Sequence, residues 1–306
     1  MSDVVLITGA SVGVGLELAR LLRSTDRRLV LTARPASLHR FASVGFQDTD
    51  RVWVRPLDVT ARESQEALIG EIEARWGGVD VLVNNAGVSW RSVVEHVAEP
   101  ERLEQMDVNF RSPMSLTVRC LPHMRAQRRG RIIAVSSVGG MMAMPTMAVY
   151  SASKFALEGA YEALWYEVRP WNIGVTLVEP GFINSDGFEK VRFTDLARSS
   201  LTDDNDPYHQ HYRHMESFVG TLMRTFGQSP KHVAKRVVRA IERRSPPLRM
   251  AGTFDARIFQ LARRLLPRRI YHELLYRGLP GIRSWGAGQP RPVAQGEQVD
   301  EGPARV

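Results

Sequence analysis

The chain has 306 residues, 43% of them hydrophobic and 24% charged, a composition that excludes intrinsic disorder. Its single cysteine, Cys120, excludes an internal disulfide, a CxxC redox pair and a thiolate zinc cluster, and fits a reducing, cytoplasmic setting. The formal charge of +8 is local: residues 231–277 carry thirteen Lys/Arg against three Asp/Glu, which leaves the rest of the chain close to neutral.

In chain order, the run Val4-Val5-Leu6-Ile7 is too short and lacks the basic flank of a secretory leader, and it reads instead as a first strand. Residues 4–8, 29–32, 52–56, 79–84, 131–136 and 175–178 are short, rich in β-branched residues and apolar on both faces, as strands covered by helices on both sides must be. Amphipathic stretches at 13–24, 61–76, 99–125 and 151–168 alternate with them, so the pattern predicts a doubly wound α/β parallel sheet. Residues 132–153 carry no charge, but Gly139-Gly140 and Pro145 break the run, which excludes a bilayer helix there.

Beyond Pro180-Gly181 the periodicity loosens. Residues 186–229 are polar and His-rich without a strand signal, as expected of a lid. Ser229-Pro230 then opens a helix through Arg244, residues 248–251 form a last strand, and 255–277 make an amphipathic helix interrupted near Pro267. The expected organisation is a core at 1–185, a lid with the last helix and strand of the same domain at 186–254, a basic helix at 255–279 and a disordered tail at 280–306. The basic helix has two readings. It covers the crevice as part of the lid, or it lies on an anionic bilayer with Arg263, Arg264, Arg268 and Arg269 at the headgroups and Leu265, Leu266 and Leu274 inward. Nucleic acid is not the expected partner.

Three clusters carry chemistry. Thr8-Gly9-Ala10-Ser11-Val12-Gly13-Val14-Gly15 joins the first strand to the first helix, where glycines let main chain approach a pyrophosphate at a helix N-terminus. At the end of the second strand, where a carboxylate would bind an adenosine ribose, stands Arg34, which favours a 2′-phosphate and hence NADP over NAD. Tyr150 and Lys154 are four residues apart and share one helix face, and an ammonium beside a phenol lowers its pKa towards the working range. Ser137, just after a strand, can hold a substrate oxygen near Tyr150, and Asn84-Asn85-Ala86-Gly87 ends the fourth strand at the crevice.

TGxxxGxG, Asp58, NNAG, Asn109, Ser137, YSASK and Pro180-Gly181 occur in the order found in short-chain dehydrogenases/reductases, and the chain resembles that family from Val4 to about residue 185. The resemblance implies a Rossmann-type sheet, a single domain with a C-terminal helical lid or extension, and NAD(P) over the strand ends. It implies cofactor contacts from Thr8, Gly9, Ser11, Gly13, Val14, Gly15 and Arg34. Asp58 and Val59 would lie at the adenine, Asn85 and Ala86 at the ribose, Ile183 and Ser185 at the nicotinamide, and Gly87, Pro180 and Gly181 would also contact the cofactor. In the family scheme Tyr150 is the general acid–base and Ser137 orients the carbonyl. Lys154 binds ribose and tunes Tyr150, and Asn109 holds a water that relays protons.

The chain departs from that pattern with Ser185 where many members have Thr, Val12 where NADP-preferring relatives carry a basic residue, and a longer C-terminal region. That region resembles the retinol- and 17β-hydroxysteroid-dehydrogenase-like branch, implying a lipophilic alcohol or carbonyl substrate. Met141, Met142, Met144 and Met147 would line the crevice, with Trp90, Phe182, Phe188 and Phe193 as aromatic walls. His209, His211 and His214 read as solvated side chains, and no metal is expected. By analogy with the family the protein is a dimer or tetramer through helices 99–125 and 151–168. The expected function is alcohol–carbonyl oxidoreduction; the alternative is a catalytically silent dinucleotide-binding sensor or scaffold.

Overall fold

The structure, a computed structural model, describes residues 2–184 and 192–286. Seven parallel strands form the main sheet: β1 (Val4–Ile7), β2 (Arg28–Ala33), β3 (Val52–Pro56), β4 (Val81–Asn84), β6 (Gly130–Val135), β7 (Ile173–Glu179) and β9 (Arg249–Ala251). Their order is β3-β2-β1-β4-β6-β7-β9, with Val5 of β1 paired to Leu29 on one side and Val81 on the other. The strand order therefore reverses at β1, and the carboxyl ends of β1 and β4 open the crevice in which such sheets bind ligands.

Alternate strand residues feed two cores. Val4, Leu6, Leu82, Ile132 and Ala134 pack under α3 (Arg62–Trp76), α5 (Ser112–Gln127) and α6 (Ala148–Val168). Val5, Ile7, Leu29, Val83 and Ile133 pack under α1 (Gly13–Leu22), α2 (His39–Ser43) and α9 (Pro230–Glu242). Strands covered on both faces need apolar residues at every position, which is why they read as unbroken apolar runs.

The single helix expected over 99–125 is two. α4 (Glu99–Met106) runs into a π-helical turn (Asp107–Arg111) before α5 begins. Ser112 donates its backbone N–H to Asp107 O five residues back, and Pro113 has no N–H to donate to Asn109 O, so a regular α-ladder cannot continue there.

The expected polar lid is largely helical. A two-stranded sheet pairs β5 (Trp90–Arg91) with β8 (Arg192–Phe193); α7 (Asp195–Thr202) and α8 (His209–Phe226) follow. His209, Tyr212, Met215, Val219 and Met223 form the buried stripe of α8 at helical spacing, two of them polar enough to mask its period in the sequence. The lid is pinned to the core: Ser92 Oγ lies 3.1 Å from Thr194 Oγ1 and 3.2 Å from Tyr212 OH, and Arg192 Nη1 donates to both Glu104 oxygens at 2.7 and 2.8 Å. At the C-terminus α10 (Phe254–Leu265) and α11 (Arg268–Arg277) part at Pro267, as expected. Of the stretch expected to fray from Pro280, residues 280–286 make one 3₁₀ turn (Ile282–Ser284), with Trp285 packed against the α8 core, and residues 287–306 lie outside the described residues.

Candidate active site

The glycine turn obeys two constraints. Gly9 and Gly13 have φ of +64° and +58°, which side chains rarely adopt. Gly15 lies so close to the turn that a Cβ there would stand 2.5 Å from Gly9 O and 2.7 Å from Asn85 Nδ2. The β4 end is laced to it. Asn85 Nδ2 donates to Thr8 O at 2.9 Å and Gly9 O at 3.0 Å, while Thr8 Oγ1 accepts from the N–H groups of Asn85 and Ala86 at 2.9 and 3.0 Å. No side chain caps α1, and a Cβ on Gly13 would meet nothing within 4 Å. The first-turn N–H groups of α1, Val14 among them, thus have no side-chain cap, and the space beside Gly13 is open, a fit for a pyrophosphate. Ser11 is buried in the same turn.

Farther along the sheet edge, Arg34 is exposed directly after β2. Asp58, exposed after β3, accepts from Thr60 N at 2.9 Å and Thr60 Oγ1 at 2.7 Å, and Val59 O accepts from Gln65 Nε2 at 2.5 Å; both ties fix the loop after β3, where an adenine contact is expected. Asn84, by contrast, is turned inward: its Nδ2 donates to Tyr161 OH at 2.8 Å.

Tyr150 lies in the first turn of α6, and Lys154 one turn later is buried with its Nζ 5.9 Å from the Tyr150 ring centroid. Ser137 Oγ accepts from Gly139 N at 3.0 Å and hydrogen-bonds Tyr150. A Cβ on Gly139 would crowd the Tyr150 ring at 2.9 Å, so glycine allows the phenol to settle beside Ser137.

The expected acidification of Tyr150 by Lys154 is not what this geometry gives. Burial pushes the phenol above its ordinary value and the Ser137 hydrogen bond pulls it partly back. Lys154 donates instead to Val135 O at 2.9 Å, and its own burial lowers it to about 8 against the raising influence of Glu158. Asn109, fully buried in the π turn, donates from Nδ2 to Val88 O (2.9 Å) and Ser153 Oγ (3.1 Å) and accepts from Val88 N (2.9 Å). Its side chain is committed to fixing the segment after Gly87 to α6.

Ser137, Tyr150, Gly181 and Ile183 line one cleft of about 220 Å³. Met142, Met144 and Met147 line it as expected, Met141 does not, and Met223 and Val219 join from α8. Of the four expected aromatic walls Phe182 lines the cleft; Trp90 does not, Phe193 packs in the lid core, and Phe188 lies outside the described residues, as does Ser185. Pro180 O accepts from Val138 N at 2.8 Å, closing the wall beside Ser137.

Sequence reasoning missed three groups. The buried Arg91 also lines the cleft, lowered in pKa by burial with Glu216 opposing. Thr253 Oγ1 accepts from Gly181 N at 2.8 Å and Asp255 Oδ2 from Phe182 N at 3.0 Å. A Cβ on Gly181 would land on the Asp255 carboxylate, so that glycine is required by a residue far along the chain. No local motif marks any of them.

The lid histidines do not converge. His209 Nδ1 lies 2.9 Å from Ser200 O and its Nε2 3.1 Å from Asp204 Oδ1, His211 packs at a 41° tilt against Trp285, and His214 Nε2 lies 3.1 Å from Ser284 Oγ. His209 is buried, and His211 and His214 partly so, not solvated as expected. Among the described residues no group of three His, Cys, Asp or Glu is placed to hold a metal.

Comparison with known proteins agrees with this geometry. Residues 3–195 match the short chain dehydrogenase family. A 3-ketodihydrosphingosine reductase of Bacteroides thetaiotaomicron is 35% identical over 248 residues, 81% of this chain and 86% of that protein. Human retinol dehydrogenase 8 is 34% identical over 255 residues, 80% of this chain and 79% of that protein. Among solved structures, a short-chain dehydrogenase from Streptomyces avermitilis superposes with a TM-score of 0.76 at 30% identity, covering 90% of this chain and 95% of that one. A serine dehydrogenase complexed with NADP+ shares the fold at a TM-score of 0.67 and 21% identity, covering 81% and 93%. The family uses NAD(P), and the Rossmann-type sheet, the glycine turn and the Tyr150–Lys154 helix place this chain within it: it is an oxidoreductase belonging to the short-chain dehydrogenase family.

Proposed function

We propose that this oxidoreductase interconverts an alcohol and a ketone or aldehyde on a lipophilic substrate, steroid-, retinoid- or aromatic-ketone-like in shape. In this reading it uses NADP(H) in preference to NAD(H), with Tyr150 as general acid–base. The observation that carries the reading is the cleft: Tyr150 and Ser137 share it with four methionines, Met142, Met144, Met147 and Met223, and with Phe182. A soft apolar wall around few polar groups suits a bulky apolar ketone.

NADP(H), when bound, supplies or takes the hydride at the carbinol carbon. The chain does the rest. Ser137 Oγ accepts from Gly139 N–H, and its one hydroxyl proton, on the side of Tyr150, is the one it offers to a substrate oxygen held there. In reduction the C=O bond becomes C–O–H: the Tyr150 proton passes to the oxygen as the carbon gains hydride. Burial keeps the phenol protonated at neutral pH, which suits it to the acid's role in that direction. Lys154, at about 8, is still largely an ammonium there and is available to the cofactor ribose.

Exposed Arg34 at the end of β2 supports the 2′-phosphate preference. We also propose a cytoplasmic setting, which the buried thiol of Cys120, pushed up to about 12, suits, and a homo-oligomer formed through α5 and α6, whose outward sides expose Val118, Phe155 and Tyr166.

The test is NADPH and NADH oxidation against steroids, retinoids, long-chain aldehydes and aromatic ketones, repeated with Tyr150→Phe. The variant keeps the ring and cofactor binding and loses about 10²–10⁴ in turnover. Turnover near wild type removes Tyr150 from the mechanism, and silence of the wild type with every carbonyl leaves a dinucleotide-binding sensor.

A further inference from the structure

Helix α10 keeps little of its apolar surface inside. Its inward side is mixed: Ala256 and Asp255 are buried, Asp255 accepting from Phe182 N, and Gln260 Nε2 donates to the carboxyl group of Glu179 at the end of β7. Its outward side is apolar. Phe254, Ile258, Leu261 and Leu265, at positions i, i+4, i+7 and i+11, form one stripe and are 63%, 48%, 57% and 68% exposed. α11 continues the exposure with Ile270, Leu274 and Tyr276. A surface helix of a soluble protein turns its apolar stripe to the core, and a contiguous exposed stripe marks something that covers it.

The flanks say what. Arg257, Arg264, Arg268 and Arg269 are exposed beside the stripe. The acids of the two helices are Asp255, which is buried, and Glu273, which lies 2.7 Å from Arg277. A second copy laid on this face would set arginines against the same arginines with no acid to answer them. An anionic lipid surface meets both features, headgroups taking the guanidinium groups and acyl chains the stripe.

We infer that α10 and α11 dock the protein on an anionic bilayer, with Phe254, Ile258, Leu261 and Leu265 as the inserted stripe. Leu266, expected among the inserted residues, is partly buried and is not one of them. The inference deepens the proposed function. Thr253 and Asp255, at the start of α10, hold Gly181 and Phe182 of the cleft wall, so the docked helix begins where the substrate cavity is walled. A lipophilic ketone dissolved in the bilayer then reaches the cleft from the docked side.

Co-sedimentation of the full chain with phosphatidylcholine vesicles, with and without phosphatidylglycerol, tests docking without any turnover, so its result is independent of the catalytic reading. The wild type binds the anionic vesicles, releases in high salt, and stays in the supernatant with phosphatidylcholine alone. Leu261→Asp with Leu265→Asp, at positions already in water, keeps the melting temperature and loses about tenfold or more in partition. Equal partition of variant and wild type overturns the inference, as does wild-type failure to bind anionic vesicles. Light scattering in which the same pair of substitutions dissociates an oligomer also overturns it and makes the face a subunit contact.

Discussion

The two sides of the crevice are made of different material. On the β1 side the walls are main chain: the Gly9–Gly15 turn, the N–H groups of α1, and Thr8 and Asn85 locking strand ends together within a few ångströms. On the side beyond Pro180 they are side chains delivered by separate elements: Met223 and Val219 from α8, Arg91 from β5, and Phe182 held by Asp255 of α10. A main-chain wall tolerates almost no change of shape, because every atom added meets backbone; a wall of methionines yields. Under the proposed function, rigid positioning of the cofactor and adaptable reception of the substrate are thus separated in space, and each is open to attack on its own.

The largest effect comes from Gly15→Ala. The new Cβ would stand 2.5 Å from Gly9 O, and neither backbone can move without opening the Asn85 lacing. Overpacking of about 1–3 kcal/mol predicts a cofactor dissociation constant raised roughly 5- to 150-fold, read by NADPH fluorescence titration. At saturating cofactor the KM for the carbonyl substrate stays put. If that KM rises in step, the two walls are one mechanical unit and the contrast drawn above is wrong.

Comparable in size is Arg34→Glu. A charge-assisted contact is worth about 1.5–3 kcal/mol, so the ratio of kcat/KM for NADPH over NADH falls by roughly ten- to a hundredfold or more. A fall confined to NADPH, with NADH unchanged or improved, locates the discrimination at this one side chain. No change in the ratio removes Arg34 from cofactor choice.

The same contrast decides what could be read from the sequence. The glycine turn was legible because positive φ and close backbone approach leave glycine as the solution, and those demands fall within eight consecutive residues. Tyr150 and Lys154 were legible because helix spacing alone puts them on one face. The far wall was not. The period of α8 is blurred by His209 and Tyr212, which are buried because they hydrogen-bond to Ser200 O, Ser92 and Val93 N, partners distant in the chain. The π turn at Asn109 follows from Pro113 acting on residues before it, and the need for Gly181 is set by Asp255, 74 positions on. The direction of the Tyr150 shift failed for the same reason: spacing gives proximity to Lys154, whereas burial is a property of the assembled cleft.

Met223→Ala tests the yielding wall. Met223 is nearly buried between the cleft and Trp285, and removing it enlarges the substrate side without touching the glycine turn. A bulky ketone loses about tenfold in kcat/KM through the apolar contact withdrawn, while cofactor affinity is unchanged. A small ketone, which never reaches Met223, is turned over as before; equal losses for both would mean that the substitution acts on Tyr150 through the cleft as a whole.

The smallest effect lies at the joint between the two sides, where β7 ends. Glu179 is buried beside Glu158, with Arg249 Nε 2.9 Å from Glu158 and 3.4 Å from Glu179, and Gln260 of α10 donating to it. Burial and the neighbouring Glu158 carboxylate raise Glu179 well above the usual carboxylate range, so the folded protein holds a proton there that the unfolded chain has already released. A raised acid stabilises the fold fully below its unfolded value near 4.5, and that contribution drains away as pH rises through the folded value. Glu179→Gln keeps an acceptor for Gln260 and supplies a permanent N–H toward Glu158, imitating the protonated carboxyl at every pH. The variant therefore matches the wild type only at or below about pH 4.5, and melts about 2 °C higher at alkaline pH, equivalent to roughly 1 kcal/mol in a chain of this size. Scanning calorimetry across that range reads the divergence, and parallel melting curves at all pH values would mean that Glu179 is ionised in the folded protein and answered by Arg249.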